Sequence, residues 1–121
     1  MYLIISDGGH RSGITYGSFK IFNEDGDVVA HKQMVFGVGT SNLAEYLTLI
    51  NSLKYAIVQG MNEVVVMVDS ALVLHQVAGD WSTNDEHLIF ARDKVRDLIN
   101  NFDYCRIKKV TRNTVKHHLG H

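Results

Sequence analysis

A chain of 121 residues with 45% hydrophobic residues has the size and composition of one globular domain, and we expect a single domain over residues 1–121. No apolar run approaches the ~18 residues that a membrane span needs, and no basic stretch precedes the first apolar residues, which argues against a membrane segment and a secretory signal. The lone Cys105 excludes an internal disulfide and a zinc site built on cysteine pairs. We therefore expect a monomer in the cytoplasm.

The net charge of -1 is spread unevenly along the chain. No acidic residue follows Asp103, whereas the last stretch carries the basic residues and histidines Arg106, Lys108, Lys109, Arg112, Lys116, His117, His118 and His121. Such a basic end suits contact with a phosphate backbone. A solvated charged edge is the other interpretation, and charge alone favours it slightly.

The first third of the chain predicts three strands. Residues Tyr2–Ser6 form a short β-branched run that stops at residues 7–9, which we interpret as a strand leading into a glycine-rich turn. Residues 14–22 and 28–38 are predicted strands, and the polar segment 23–27 between them is typical of a hairpin turn. Together they predict a three-stranded antiparallel meander.

The rest of the chain alternates helices with strands. Apolar residues recur every three or four positions from Ser41 to Gln59, which predicts a long amphipathic helix. A run of apolar residues over 64–68 then predicts a buried strand that ends at Asp69. The later predicted elements are a short helix capped by Ser70 and running to Gly79, a helix over about 84–101, a strand over 106–110 and a last short helix capped by Asn113 or Thr114. This order predicts an α/β fold with a mixed sheet covered by helices.

Three acidic residues stand where such a fold places a site. Asp7 and Asp69 each follow an apolar strand, and if the two strands are parallel neighbours their carboxylates meet in one crevice at the sheet edge. Glu45 lies one turn into the long helix among apolar residues, where a charge has to be paired or has to bind a metal. Carboxylates in one cleft repel each other, and a hard divalent ion such as Mg²⁺ stabilises their ionised state.

Each acid also has an ordinary explanation. An aspartate before glycine, as at Asp7, is typical of a turn, and Asp69 before Ser70 is typical of a helix N-cap. Glu45 could be a solvated helix residue. Physical chemistry therefore permits the cluster without requiring it.

Three motifs resemble the type 1 ribonuclease H family, and together they cover nearly the whole chain. The S-D-G-G of residues 6–9 is similar to the family's strand-one Asp-Gly. Residues 40–46 resemble its T-x-N-x-A-E-Y helix start, and residues 66–81 resemble its strand-four pattern V-x-x-D-S-x-L-V-x-x-Q-V-x-G-x-W. The resemblance implies a five-stranded mixed sheet of order 3-2-1-4-5 with helices on both faces, in which strands one and four are neighbours.

The resemblance also implies an activity. Asp7, Glu45 and Asp69 fall on the family's metal-binding acids, which implies an endonuclease that cuts the RNA strand of an RNA/DNA hybrid with two Mg²⁺ or Mn²⁺ ions. By the same resemblance, the residues that approach the substrate backbone are Gly8, Gly9, Thr40, Ser41 and Asn42. A tight turn explains the two glycines equally well. The alternatives are a noncatalytic nucleic-acid-binding domain and another nuclease on the same fold.

The end of the chain departs from the family pattern N-x-x-A-D-x-L-A, whose aspartate completes the metal site. Alignment on Asn113 places His117 at the position of that aspartate. Alignment on Arg112 places Leu119 there instead, which leaves His118 or His121 as the nearby donor. We predict His117 as the fourth ligand and His121 as the second choice, although solvated histidines would also fit.

Overall fold

The computed structural model describes residues 1–120 and contains one five-stranded sheet of order β3-β2-β1-β4-β5. The strands are β1 (Tyr2–Arg11), β2 (Ile14–Phe22), β3 (Val28–Val38), β4 (Glu63–Val68) and β5 (Tyr104–Lys109). The helices are α1 (Ser41–Val58), α2 (Ala71–Ala78), α3 (Glu86–Ile99) and α4 (Arg112–Leu119). The predicted α/β class, the strand order and the bounds of β2 and β3 are confirmed.

Strand direction changes at the middle of the sheet. β1, β2 and β3 pair antiparallel, whereas β4 pairs parallel to both β1 and β5. The predicted turn between β2 and β3 is present, and the side chain of Asn23 accepts hydrogen bonds from the backbone N–H groups of Asp25 and Asp27. The parallel pairs are joined through helices, as parallel strands require.

The predicted turn at residues 7–9 is wrong. β1 continues to Arg11, with Asp7 opposite Ser18 and Gly8 opposite Gly17 in the antiparallel ladder with β2. The chain reverses at Ser12 and Gly13, which adopt φ values of 52° and 81° in the left-handed region. The two glycines after Asp7 therefore lie within a strand.

Helices cover both faces of the sheet. α1, α2 and α3 bury the larger core, to which Ile4 of β1 contributes. The next residue of the strand, Ile5, points to the opposite face and packs against Val115 and Leu119 of α4. Neighbouring positions of β1 thus face different helices, so that this strand contributes to the packing on both sides of the sheet.

Side-chain oxygens cap the helices at their N-termini. Thr40 accepts a hydrogen bond from Leu43 N–H at the start of α1, and Ser70 caps α2 as predicted. The cap of α4 is Thr111, which accepts from Thr114 N–H, so that the prediction of Asn113 or Thr114 as the cap is wrong. The helix begins earlier than predicted because Thr111 stands almost directly after β5 and supplies the oxygen.

Cys105 is a free, half-buried thiol packed against the larger core, and burial raises its pKa to about 11. Within residues 1–120, no helix is both long and apolar enough to cross a membrane.

Candidate metal centre

Three carboxylates converge at one edge of the sheet. Asp7, Glu45 and Asp69 each offer an oxygen, and these oxygens lie within 4.8 Å of one another. Within residues 1–120 this is the one group of at least three such side chains that could hold a metal ion. These are the three acids that the sequence marked as candidate ligands.

The sheet brings the two aspartates together. β1 and β4 are parallel neighbours with Ile5 opposite Met67, so residues two positions farther along each chain lie side by side. Asp7 is in the body of β1 and Asp69 directly follows β4. Parallel pairing in this register accounts for the proximity of their carboxylates.

Glycines let α1 approach the sheet closely. A Cβ atom on Gly8 would lie 2.5 Å from the backbone carbon and oxygen of Ala44, and one on Gly17 would lie 1.8 Å from Thr48 Oγ1. Gly8 and Gly17 are paired across β1 and β2, so they form a floor without side chains under the first half of α1. The floor allows Glu45 to reach Asp7 from the helix.

A buried hydrogen bond joins the helices that flank the acids. The hydroxyl of Tyr46 donates to Gln76 Oε1 over 2.8 Å, and both residues are buried. Tyr46 follows Glu45 in α1, and Gln76 belongs to α2, which begins two residues after Asp69. Burial raises the pKa of Tyr46 to about 12, which keeps the hydroxyl a donor. This bond fixes α2 against the helix that carries Glu45.

Glu45 has the most perturbed environment of the three acids. Burial and the charges of Asp7 and Asp69 raise the pKa of Glu45 to about 9, although a hydrogen bond from the backbone N–H of Gly8 acts in the opposite direction. A side-chain hydrogen bond between Glu45 and Asp7 also favours the protonated form. At neutral pH and without a metal, Glu45 therefore holds a proton beside Asp7.

Arg112 contacts the cluster, and it was not among the predicted site residues. Its Nη1 atom lies 2.7 Å from Asp69 Oδ2 and 3.3 Å from Asp7 Oδ1. The hydrogen bond to Asp69 and the charge of Asp7 raise the pKa of Arg112. A signal was available in the sequence, because Arg112 follows the end of β5 closely and therefore stands at the same sheet edge as the acids.

The predicted substrate residues outside the strand lie at the N-terminus of α1. Thr40, Ser41 and Asn42 are exposed, and Ser41 Oγ lies 3.2 Å from His10 Nδ1 of β1. Gly9 is half-buried, and a Cβ atom on it would lie 2.9 Å from the hydroxyl of Tyr16. Exposed polar side chains at a helix N-terminus are suited to contact with phosphate. The role of these residues in substrate binding stays a prediction.

The predicted fourth ligand is not part of the three-residue group. His117 is exposed on α4, and its ring packs edge-on against His118, with ring centres 5.6 Å apart. His118 Nδ1 lies 2.9 Å from the carbonyl oxygen of Thr114, and its ring packs against Phe22. His121 lies outside the described residues. Ligation by His117 or His121 stays a prediction.

Comparisons with known proteins agree with this fold. The sequence model of a family described as reverse transcriptase-like matches residues 6–117. Ribonuclease HI of Halobacterium salinarum is 39% identical over 90 residues, which cover 74% of this chain and 45% of that protein. A bifunctional protein of Mycobacterium tuberculosis is 31% identical over 103 residues, which cover 83% of this chain and 28% of that protein. The chain thus spans less than half the length of these relatives.

Solved structures of ribonucleases H superimpose closely. RNase H1 from Halobacterium salinarum has a TM-score of 0.91 at 32% identity, with 95% of this chain and 89% of that chain covered. LC11-RNase H1, solved in complex with an RNA/DNA hybrid, has a TM-score of 0.87 at 22% identity, with 97% of this chain and 90% of that chain covered. At this identity the similarity shows the fold alone. The fold and the acidic triad define a ribonuclease H-like domain that can bind a metal ion. This chain belongs to the ribonuclease HI family.

Proposed function

We propose that this chain is an endonuclease that hydrolyses the RNA strand of RNA/DNA hybrids with Mg²⁺ or Mn²⁺ bound by Asp7, Glu45 and Asp69. The observation that carries the proposal is the convergence of these three carboxylates within 4.8 Å in a ribonuclease HI fold. Membership of the ribonuclease HI family supports the reaction.

The donor set fits a hard divalent ion. All three side chains offer carboxylate oxygens, which Mg²⁺ and Mn²⁺ prefer over nitrogen or sulfur. Asp7 and Glu45 are almost buried, at 8% and 9% exposure, so their repulsion is poorly screened by water and a cation relieves it. When bound, divalent ions supply a nucleophilic hydroxide at neutral pH and stabilise the charge on the phosphate.

The protein's own groups prepare the site for these ions. Glu45 holds a proton beside Asp7, and it has to release this proton before all three acids can act as ligands. The N–H of Gly8 donates to the Glu45 carboxyl group and orients it. Metal binding is therefore expected to release a proton at neutral pH.

The surface beside the acids suits a nucleic-acid backbone. Thr40, Ser41 and Asn42 are exposed at the N-terminus of α1, where the helix dipole favours phosphate. RNA/DNA hybrids are recognised mainly by shape and by 2′-hydroxyl and phosphate contacts, which small polar residues can make. LC11-RNase H1 has the same fold and was solved in complex with an RNA/DNA hybrid, which supports this choice of substrate.

Cleavage of matched duplexes tests the proposal. A labelled RNA/DNA hybrid, a double-stranded RNA and a double-stranded DNA of one sequence are incubated with Mg²⁺, with Mn²⁺ and with a chelator. We expect metal-dependent cleavage of the RNA strand of the hybrid alone. Binding without cleavage would indicate a noncatalytic nucleic-acid-binding domain, and cleavage of another duplex would indicate a different nuclease. Either result would contradict the proposal.

We also propose that the protein acts as a monomer in the cytoplasm. The single free cysteine supports the cytoplasmic location, since proteins of reducing compartments do not depend on disulfides. Sedimentation equilibrium at micromolar concentration tests the oligomeric state, and a dimer would contradict the proposal.

A further inference from the structure

Arg112 places a positive charge directly against two of the three acids. One guanidinium nitrogen, Nη1, contacts both Asp69 Oδ2 at 2.7 Å and Asp7 Oδ1 at 3.3 Å. The side chains of Asp7 and Asp69 are each only 10% exposed, whereas that of Arg112 is 56% exposed. A half-exposed cation thus reaches from the surface onto two nearly buried anions.

The backbone of Arg112 is held in place, but its side chain is free to leave. Thr111 caps the first turn of α4, and Val115 and Leu119 bury the helix against Ile5 of β1. The side chain of Arg112 is 56% exposed, and an arginine side chain that withdraws into water is well hydrated and has many rotamers. Withdrawal from the acids therefore requires no change in the packing of the core.

A divalent cation bound at this site needs the same two carboxylates. Two positive groups at one pair of anions repel each other, and a shared oxygen lone pair can serve only one of them. We propose that Arg112 is an internal counter-cation that a divalent metal ion has to displace from Asp7 and Asp69. The residue thereby sets the metal concentration that the site requires. The inference rests on the proposed metal site and concerns its regulation.

The charge of Arg112 has an opposite effect in the two states. In the metal-free protein it offsets the repulsion between the carboxylates and stabilises the fold. In the metal-bound protein it competes with the ion. Removing the charge should therefore lower metal-free stability and tighten metal binding, a combination that loss of a simple structural contact does not produce.

Metal titration without nucleic acid tests this inference. Mn²⁺ and Mg²⁺ are titrated into chelator-treated wild-type protein and into Arg112→Gln, with binding followed by calorimetry and by the thermal unfolding midpoint. We expect the half-saturating metal concentration of Arg112→Gln to fall by roughly five- to twenty-fivefold, since each of the two partly exposed ion pairs contributes up to a factor of about five. We also expect a lower unfolding midpoint without metal and a larger rise on saturation.

Two further variants separate contact from net charge. Lys116→Gln removes the same charge one turn farther along α4, and Lys116 is exposed. Its metal binding should stay within about twofold of wild type, because exposed charges are screened over this distance. Arg112→Lys keeps the charge and should restore most of the wild-type metal requirement.

Three results would overturn the inference. They are unchanged metal binding in Arg112→Gln, weaker binding in that variant, and an equal effect of Lys116→Gln. Failure of the proposed function is recognised separately, because hybrid cleavage is not a readout here. A protein that binds metal as expected but cuts no hybrid supports the role of Arg112 and contradicts the nuclease.

Discussion

The carboxylate crevice and helix α4 contribute to the same site in different ways. The acids stand on β1, on α1 and directly after β4, and these elements carry much of the larger core. α4 has eight residues, is anchored mainly by Val115 and Leu119, and exposes most of its basic side chains. The position of the carboxylates is therefore tied to global stability, whereas the charge opposite them comes from a peripheral helix.

The two regions therefore differ in how much a change disturbs the fold. Moving an acid requires the sheet or α1 to shift. Changing the charge that faces the acids requires only a substitution on α4, as the presence of Arg112 beside Asp7 and Asp69 illustrates. The crevice determines that a cation binds, and α4 adjusts how strongly it binds.

Loss of an acid should lower cleavage more than any substitution in α4. We expect Asp7→Asn and Asp69→Asn each to lower hybrid cleavage by roughly 10³-fold or more, because loss of a ligand charge removes several kcal/mol of metal-assisted stabilisation. Circular dichroism should show an unchanged fold, since asparagine keeps the side-chain volume. Asp97→Asn, on the exposed face of α3, is the matched control and should cleave normally. Near-normal turnover in either site variant would contradict a shared metal site.

The glycine floor should be the next most sensitive feature. Gly8→Ala places a Cβ atom 2.5 Å from the backbone of Ala44, which α1 cannot avoid without moving away from β1. We expect a loss of about 3 kcal/mol in the free energy of unfolding, measured in urea, with a loss of cleavage. Gly9→Ala meets only the outer end of the Tyr16 side chain, so it should cost less than about 1 kcal/mol. Equal losses in the two variants would show that close approach of α1 is not the cause.

The pH dependence of metal-free stability should reveal the buried glutamic acid. The folded protein raises the pKa of Glu45 from 4.5 to about 9, so between these values the folded state holds a proton that the unfolded state has released. The stabilisation is complete below about pH 4.5 and is lost as the pH rises through about 9. We expect the chelated protein to lose on the order of 4 kcal/mol between pH 5 and 8, as followed by thermal unfolding.

Glu45→Gln is the control for that dependence, because the amide cannot titrate. Its stability should be nearly flat from pH 5 to 8, and at pH 8 it should exceed that of the chelated wild type. Saturating Mn²⁺ should also abolish the decline in the wild type, since the ion favours the ionised carboxylate. A decline that persists in Glu45→Gln would assign it to another group.

His117 and His121 should have the smallest effect. We keep His117 as the predicted fourth ligand and expect His117→Ala to lower Mn²⁺-dependent cleavage by roughly tenfold, because the three acids remain. His117→Asp restores an anion and should improve cleavage with Mg²⁺, which prefers oxygen ligands. His121→Ala is the comparison for the second alignment. If neither histidine matters, three carboxylates suffice, and the contribution of α4 to the site is Arg112 alone.

Local sequence patterns were enough for most of the elements, and they marked the three acids as candidates. The strand-like runs at residues 14–22 and 28–38 and the polar turn between them predicted the bounds of β2 and β3, because strand propensity and turn chemistry act over a few neighbours. The cap at Ser70 has the same local character. Motif resemblance added the strand order and the grouping of Asp7 with Glu45 and Asp69.

Only the tertiary structure decided how these elements meet. The glycine after Asp7 predicted a turn, yet Gly8 lies in a strand, because its missing side chain is required by the approach of α1 and not by the direction of the chain. Arg112 and Asp7 are 105 residues apart in the sequence, so no local pattern relates them. The sequence by itself determined which side chains carry charge and where most of the helices and strands form, since those depend on neighbouring residues. The tertiary structure decided which charges touch, since contact depends on packing between segments that are distant in the chain.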